Sequence, residues 1–280
     1  MTKPEHVDFG KVVNGRINQA LTKWCLHNLG EKWSFEKICQ VAKELRVPAI
    51  EVVEIEDLPV LKKYGLVSAL TSSHMFIRGM NNPLHWDECL TLMGRSIDAN
   101  AEFGFSNLIT FTGFADTSGS EKGSYVSPEQ GMKNCIEGYK KIVGHAEKKN
   151  CVICLEPLNT RDGAEMKGPP GYQGDHLDYC IEIVNKVGSP ALKLLFDVYH
   201  VQIMDGDIIR RIRSCVDLIG HVQVAGNPGR GEMDDTQEVN YPAVMRAFVD
   251  SGYKGYVGLE YIATRDVMQG LKEAVTLLDV

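Results

Sequence analysis

The stretch CVICLEPLNT, residues 151–160, runs an unbroken apolar segment into a glutamate. Val152 to Leu155 is continuously apolar, as a strand buried on both faces of a parallel sheet reads. Pro157 ends the pairing, so Glu156 stands where the strand reaches an open end. Cys151 and Cys154 form a CxxC within this strand, where positions i and i+3 face opposite ways. No second CxxC follows at zinc-site spacing, and the pair reads as core filling.

Working outward, the same unit recurs. Apolar strands are expected within 16–26 and at 49–55, 66–73, 107–114, 191–200, 221–226 and 256–262. Helices with period 3.6 are expected at 34–47, 58–65, 85–104, 127–149, 175–188, 205–220, 241–252 and 265–280. Their ends carry the right signals. Ser34 and Asp175 suit N-caps, Ser127 with Pro128 opens a helix, and Gly104 and Gly188 close two others. Eight strands, each followed by a helix, in about 265 residues fit an α/β chain closed as a single-domain (β/α)8 TIM barrel. No GxGxxG follows the first strand, which argues against an open dinucleotide-binding sheet. Residues 1–15 read as a polar N-terminal extension and 16–280 as the barrel domain. The longest irregular stretches, 74–84, 115–126, 157–174 and 227–240, all follow strands, where a barrel builds its active-site face.

Composition narrows the function. The 280 residues carry a net charge of -7, with no basic stripe, which argues against a nucleic-acid partner. No run approaches 18 apolar residues and no signal peptide opens the chain, so no membrane span or secretion is expected. Eight scattered cysteines suit free thiols in a reducing cytoplasm.

In a barrel, polar residues at strand carboxyl ends are the suspects. In order these are Glu156, Asp197, Gln223 and Glu260, at the ends of strands five to eight. Three carboxylates on adjacent buried strands repel unless a counter-charge joins them. A divalent cation held by oxygens answers this, Mg²⁺ or Mn²⁺ by preference, with Co²⁺ or Zn²⁺ also compatible. His200, three residues after Asp197, can point into the site at a strand–loop junction. His221 shares Gln223's face one layer deeper, which suits a supporting role. His74 and Lys23 end the third and first strands and face the same mouth.

These residues resemble the xylose isomerase-like (β/α)8 superfamily, whose metal set is Glu, Asp, His or Gln, and Glu from the last four strands. The segments FDVYHVQ (196–202), GHVQVAGNPGRGE (220–232), EVNY (238–241) and GYKGYVGLEY (252–261) are similar to those of hydroxypyruvate isomerases. The likeness spans roughly 150–265, and the first 100 residues match only as architecture. It implies a metal-dependent isomerase of a small hydroxy-keto acid such as hydroxypyruvate. The metal would lie on Glu156, Asp197, Gln223 and Glu260, and Glu156 and Glu260 would exchange the protons of an enediolate reaction. Arg230, His200, His74 and Lys23 are the candidates for holding substrate, Arg230 by a two-pronged bond to its carboxylate. Three other readings stay open: a sugar or inositol epimerase, isomerase or dehydratase; a DNA-repair endonuclease on the same barrel; and a silent barrel that binds a ligand. Association into homo-oligomers is also left open.

Overall fold

The computed structural model describes residues 9–120 and 123–280. Its eight strands form one closed parallel barrel in chain order. They are β1 (Asn18–Thr22), β2 (Ala49–Val53), β3 (Val67–Thr71), β4 (Asn107–Thr110), β5 (Val152–Leu155), β6 (Leu192–Asp197), β7 (Ile219–Val224) and β8 (Tyr256–Leu259). The helices that cover it are α1 (Lys23–His27), α2 (Phe35–Glu44), α3 (Leu58–Tyr64), α4 (Trp86–Phe103), α5 (Pro128–Lys140), α6 (Val143–Lys148), α7 (Leu177–Val187), α8 (Val198–Met204), α9 (Ile208–Cys215), α10 (Tyr241–Asp250) and α11 (Val267–Leu278).

Two apolar layers result. Outward strand residues such as Leu21, Ile50, Phe196 and Val222 pack against the helices in one large core. Inside, Leu70, Ile109, Cys154 and Leu195 fill the lumen, above a small layer of Ala20, Ala49 and Ala69. Cys151 belongs to the outer core and Cys154 to the lumen, as opposite strand faces require. All eight cysteines are free and buried.

Helix ends follow local chemistry. The hydroxyls of Ser34 and Ser127 accept the N–H groups of Lys37 and Gln130. Gly65, Gly104 and Gly188 end their helices in left-handed conformation.

Four departures from the sequence reading matter most here. The helix expected over 127–149 is two pieces, α5 and α6. Helix α7 starts two residues later than expected, with His176 rather than Asp175 at its N-cap, and the Asp175 carboxylate accepts from the Thr160 hydroxyl instead. The strand expected over 191–200 stops at Asp197, and α8 begins at once. Lys23 opens a short helix rather than ending a strand.

Of the expected N-terminal extension, residues 1–8 lie outside the described residues. Val13, Asn14 and Gly15 donate their backbone N–H groups to the Asp279 carboxylate, which ties this segment to the end of the barrel.

Candidate active site

Glu156 and Glu260 each stand one residue past the end of a strand. The Glu156 N–H donates to the Thr110 carbonyl of β4 at 3.1 Å, and the Glu260 N–H to the Val224 carbonyl of β7 at 2.9 Å. Ladder pairing therefore continues just far enough to fix both backbones. Asp197 ends β6, and its carboxylate accepts the Tyr199 N–H at 2.8 Å as the N-cap of α8. That cap stops the strand. Across the β6–β7 ladder, Asp197 is paired in register with Gln223.

The early start of α8 decides the position of His200. In a helical turn, residues i and i+3 lie on one face. His200 Nε2 comes within 3.5 Å of Asp197 Oδ2 and 4.0 Å of Glu156 Oε1. One ligand atom from each of Glu156, Asp197 and His200 lies within 4.8 Å of the other two. Within this cluster, three of the buried oxygens that lack a hydrogen-bond partner are Glu156 Oε1, Asp197 Oδ2 and Gln223 Oε1. Orphaned buried acceptors of this kind call for a cation or a donor.

His200 is a weaker candidate for such a cation than its position suggests. Its Nδ1 accepts the backbone N–H of Asn159 at 3.0 Å and lies 2.8 Å from that residue's amide nitrogen. A nitrogen that accepts carries no proton, so in the neutral ring the proton sits on Nε2. Metal-binding histidines show the opposite pattern and donate from their second nitrogen. His200 thus presents an N–H to the site.

Arg230 is the buried cation here. It follows Gly229 in the loop after β7 and adopts a left-handed φ of 56°. The Ile262 N–H pins its carbonyl at 2.7 Å. Its Nη2 donates to Glu260 Oε2 at 2.6 Å and lies 3.8 Å from Asp197 Oδ2. Its Nη1 donates to the Met166 carbonyl at 2.6 Å, and the guanidinium lies over Trp24 and Tyr199. Only Nε has no partner. The fork expected for a substrate carboxylate is therefore spent on Glu260 and Met166. The other Glu260 oxygen accepts from Trp24 Nε1 at 2.7 Å. The counter-charge that the sequence reading assigned wholly to a cation is thus partly supplied by the chain. One guanidinium against the carboxylates of Glu156, Asp197 and Glu260 still leaves the cluster short of positive charge, which a divalent ion would supply.

The remaining candidates are placed as follows. Lys23 lines the same cavity but is paired with Asp57 and stacked over Phe35. His74 is also in the cavity wall, with both nitrogens engaged. Nδ1 faces the carbonyls of Met75 and Arg78 at 3.1 and 3.0 Å, so it must donate, and Nε2 meets the Thr110 hydroxyl at 2.9 Å. The cavity measures about 620 Å³. Glu156, His200, Arg230 and Glu260 contribute to its lining, and Phe76, Phe111, Leu158 and Met166 give it an apolar outer wall. Asp197 and Gln223 do not reach that lining.

Sequence reasoning missed Glu51. It lies in β2, fully buried in the barrel, and its carboxylate meets Thr22, His221 and Gln223. The signal was the sequence AIEVV, in which one carboxylate interrupts an apolar strand just as Glu156 ends one. The supporting role expected for His221 is taken on this carboxylate.

Burial shapes the titration of the cluster. It pushes the Glu156 carboxyl well above its usual range, and the Glu260 and Asp197 charges add to the effect. Asp197 rises to about 7, chiefly by burial and against the pull of Arg230. Glu260 is also raised by burial, opposed by Arg230 and by the Trp24 hydrogen bond. His200 is held well below its usual value by burial and by Arg230, so it stays neutral. Burial would lower Arg230, but Glu260 and Asp197 outweigh it and keep the guanidinium charged.

A family profile described as "Xylose isomerase-like TIM barrel" matches residues 56–279. The chain belongs to that family. Among curated relatives, it is 40% identical over 136 residues to a human protein named putative hydroxypyruvate isomerase, covering 49% of this chain and 47% of that one. It is 36% identical over 136 residues to the 2-oxo-tetronate isomerase of Cupriavidus necator, covering 49% and 50%. The chain thus spans about half the length of the curated relatives it matches. A family 2 AP endonuclease structure from Brucella melitensis superimposes with a TM-score of 0.76 at 22% identity, over 91% of this chain and 96% of that one. At that identity the likeness is one of fold. No helix among the described residues is long and apolar enough to cross a membrane.

Proposed function

We propose that this protein is a divalent-metal-dependent isomerase that moves a carbonyl between neighbouring carbons of a small hydroxy-keto acid, interconverting hydroxypyruvate and tartronate semialdehyde. The observation that carries this reading is the pair Glu156 and Glu260 on one cavity, beside buried oxygens that lack partners. The names of the relatives support it.

The donor set fits a hard divalent ion: Glu156, Asp197, Gln223 and Glu260 would hold it through oxygen. Bound there, the ion would polarise the substrate carbonyl and stabilise charge on the adjacent oxygens. The chain supplies the proton transfers. One glutamate takes a proton from the hydroxymethyl carbon, and the other returns one to the former carbonyl carbon. The hydroxyl proton passes from one substrate oxygen to the other. Paired carboxylates whose surroundings differ take different roles. Arg230 and Trp24 bond both Glu260 oxygens and favour its ionised form, which suits the base. Glu156 Oε1 has no hydrogen-bond partner and the residue lines the cavity, which leaves Glu156 for the acid. His200 Nε2–H would donate to a substrate oxygen. With the Arg230 fork engaged, Lys23 is the better partner for a substrate carboxylate, since an ammonium has three donors and Asp57 uses one.

A second reading keeps the chemistry and enlarges the substrate. A cavity of about 620 Å³ falls in the range that holds drug-sized ligands, well beyond a three-carbon acid. A four-carbon oxo-acid or a ketose would use that space. A DNA substrate has no comparable support, given the net charge of -7.

The test is isomerisation of hydroxypyruvate with added Mn²⁺, beside four-carbon oxo-acids and ketohexoses. Glu156→Gln and Glu260→Gln should each abolish turnover while circular dichroism stays unchanged. Full activity in either variant would sink the two-glutamate scheme. An undiminished rate after exhaustive chelation would remove the metal from it.

A further inference from the structure

An amide side chain has two ends of nearly equal shape, and only its oxygen can face a cation. Gln223 therefore needs something that tells its ends apart. The geometry points to Glu51 as that positioning residue: its carboxylate takes the Gln223 NH₂ and leaves the amide oxygen free for the ion. The inference rests on the reading of Gln223 as a metal ligand.

Three observations carry it. The first is the hydrogen-bond pattern. Glu51 Oε1 accepts from Gln223 Nε2 at 2.9 Å and from Thr22 Oγ1 at 2.5 Å, while Oε2 meets His221 Nε2. Glu51 Oε1 accepts both of these bonds, so it is the donor end of the amide that faces it. Gln223 Oε1, correspondingly, has no partner. A serine, threonine or glutamine at position 51 would tolerate either end.

The second is the space cleared for this carboxylate. A Cβ at Gly258, in register with Gln223 on the neighbouring strand, would lie 1.9 Å from Glu51 Oε2. Only glycine leaves that volume open.

The third is the backbone. The β2–β3 ladder shifts register on both sides of Glu51, and the next residue, Val52, has a φ of +51°. A β-branched residue in the left-handed region is a costly outlier. Such a bulge re-aims the side chain beside it, here into the centre of the barrel.

Residues that orient ligands in this way typically change metal affinity by about 10–100-fold when replaced. The experiment measures Mn²⁺ affinity by electron paramagnetic resonance titration of the purified chain. It compares wild type, Glu51→Gln, Gln223→Met and the double variant, with a melting curve for each. Glu51→Gln keeps the shape and loses the acceptor-only character. It should weaken Mn²⁺ binding by about 10-fold or more. In the double variant the loss should equal that of Gln223→Met alone, because no amide remains to orient. A purely structural role for Glu51 would instead lower the melting temperature, and its effect would multiply with that of Gln223→Met. Gly258→Ala, whose added methyl displaces the Glu51 carboxylate, gives a second route to the same loss should Glu51→Gln not fold. Wild-type affinity in either folded variant, or multiplied losses in the double variant, would overturn the inference. A wild type that binds no Mn²⁺ would overturn the metal reading itself and this inference with it, a result distinct from the other two.

Discussion

Replacing Arg230 with methionine tests whether the barrel mouth depends on a built-in cation. Methionine keeps most of the side-chain length and apolar contact with Trp24 and Tyr199, but removes the charge. The variant strands Glu260 Oε2, which now accepts from Arg230 Nη2 at 2.6 Å, and frees the Met166 carbonyl from Nη1. Asp197, 3.8 Å from the same Nη2, loses its nearest positive charge. Breaking one side of a buried pair costs about 3–5 kcal/mol. Glu260 can escape part of that by taking up a proton, since burial already raises its carboxyl, so the lower figure of about 3 kcal/mol applies. At about 2 °C per kcal/mol for a chain of this length, the melting temperature should fall by about 6 °C. Thermal and urea unfolding measure the loss, with and without saturating Mn²⁺. Because a divalent ion at Glu156 and Asp197 would replace the lost charge, Mn²⁺ should raise the melting temperature of the variant more than that of wild type. A variant that melts within about 1 °C of wild type in metal-free buffer would refute the counter-charge reasoning. Equal Mn²⁺ increments would refute its link to the metal.

Other outcomes are equally open to measurement. Asp197 has a folded value of about 7 against 3.8 for the free group, so the folded metal-free protein holds a proton that the unfolded chain has released between those limits. Its stability should therefore fall as pH rises through that window, by at most about 1.4 kcal/mol per unit. Asp197→Asn should remove that component of the slope, and an identical slope in both proteins would contradict the shift. Mn²⁺ binding, which needs ionised carboxylates, should tighten as pH rises, and the Asp197 proton contributes up to about tenfold per pH unit below 7. Nitrogen-15 spectra of the His200 ring should show the proton on Nε2, and a proton on Nδ1 would restore His200 as a ligand candidate. In the thiol assay no cysteine of the native protein should react quickly, whereas all eight should after denaturation, because all are buried and burial raises thiols such as Cys39 to about 11.

The barrel was legible in the sequence because periodicity is a local property. Strands such as VICL are apolar on both faces because both are buried, here by helices on one side and by the lumen on the other. Caps such as Ser127 with Pro128 mark helix ends without reference to the rest of the chain. The four candidate residues were legible for the same reason, since a carboxylate or amide that closes or interrupts an apolar run is visible in one dimension. Their partners were not. Arg230 lies 30 residues from Glu260, Glu51 lies 172 residues from Gln223, and no local pattern links either pair.

By itself, then, the sequence determined the alternation, the closure into one barrel, and the presence of Glu156, Asp197, Gln223 and Glu260 at one end of it. The tertiary structure alone decided how those groups are used. It turned the segment after Asp197 into a helix and brought His200 beside Glu156. It committed the Arg230 fork to Glu260 and Met166, and set Glu51 behind Gln223. Strand order follows from local pattern and chain connectivity. The direction of an amide, the tautomer of an imidazole and the partner of a guanidinium depend on atoms that meet only once the barrel has closed.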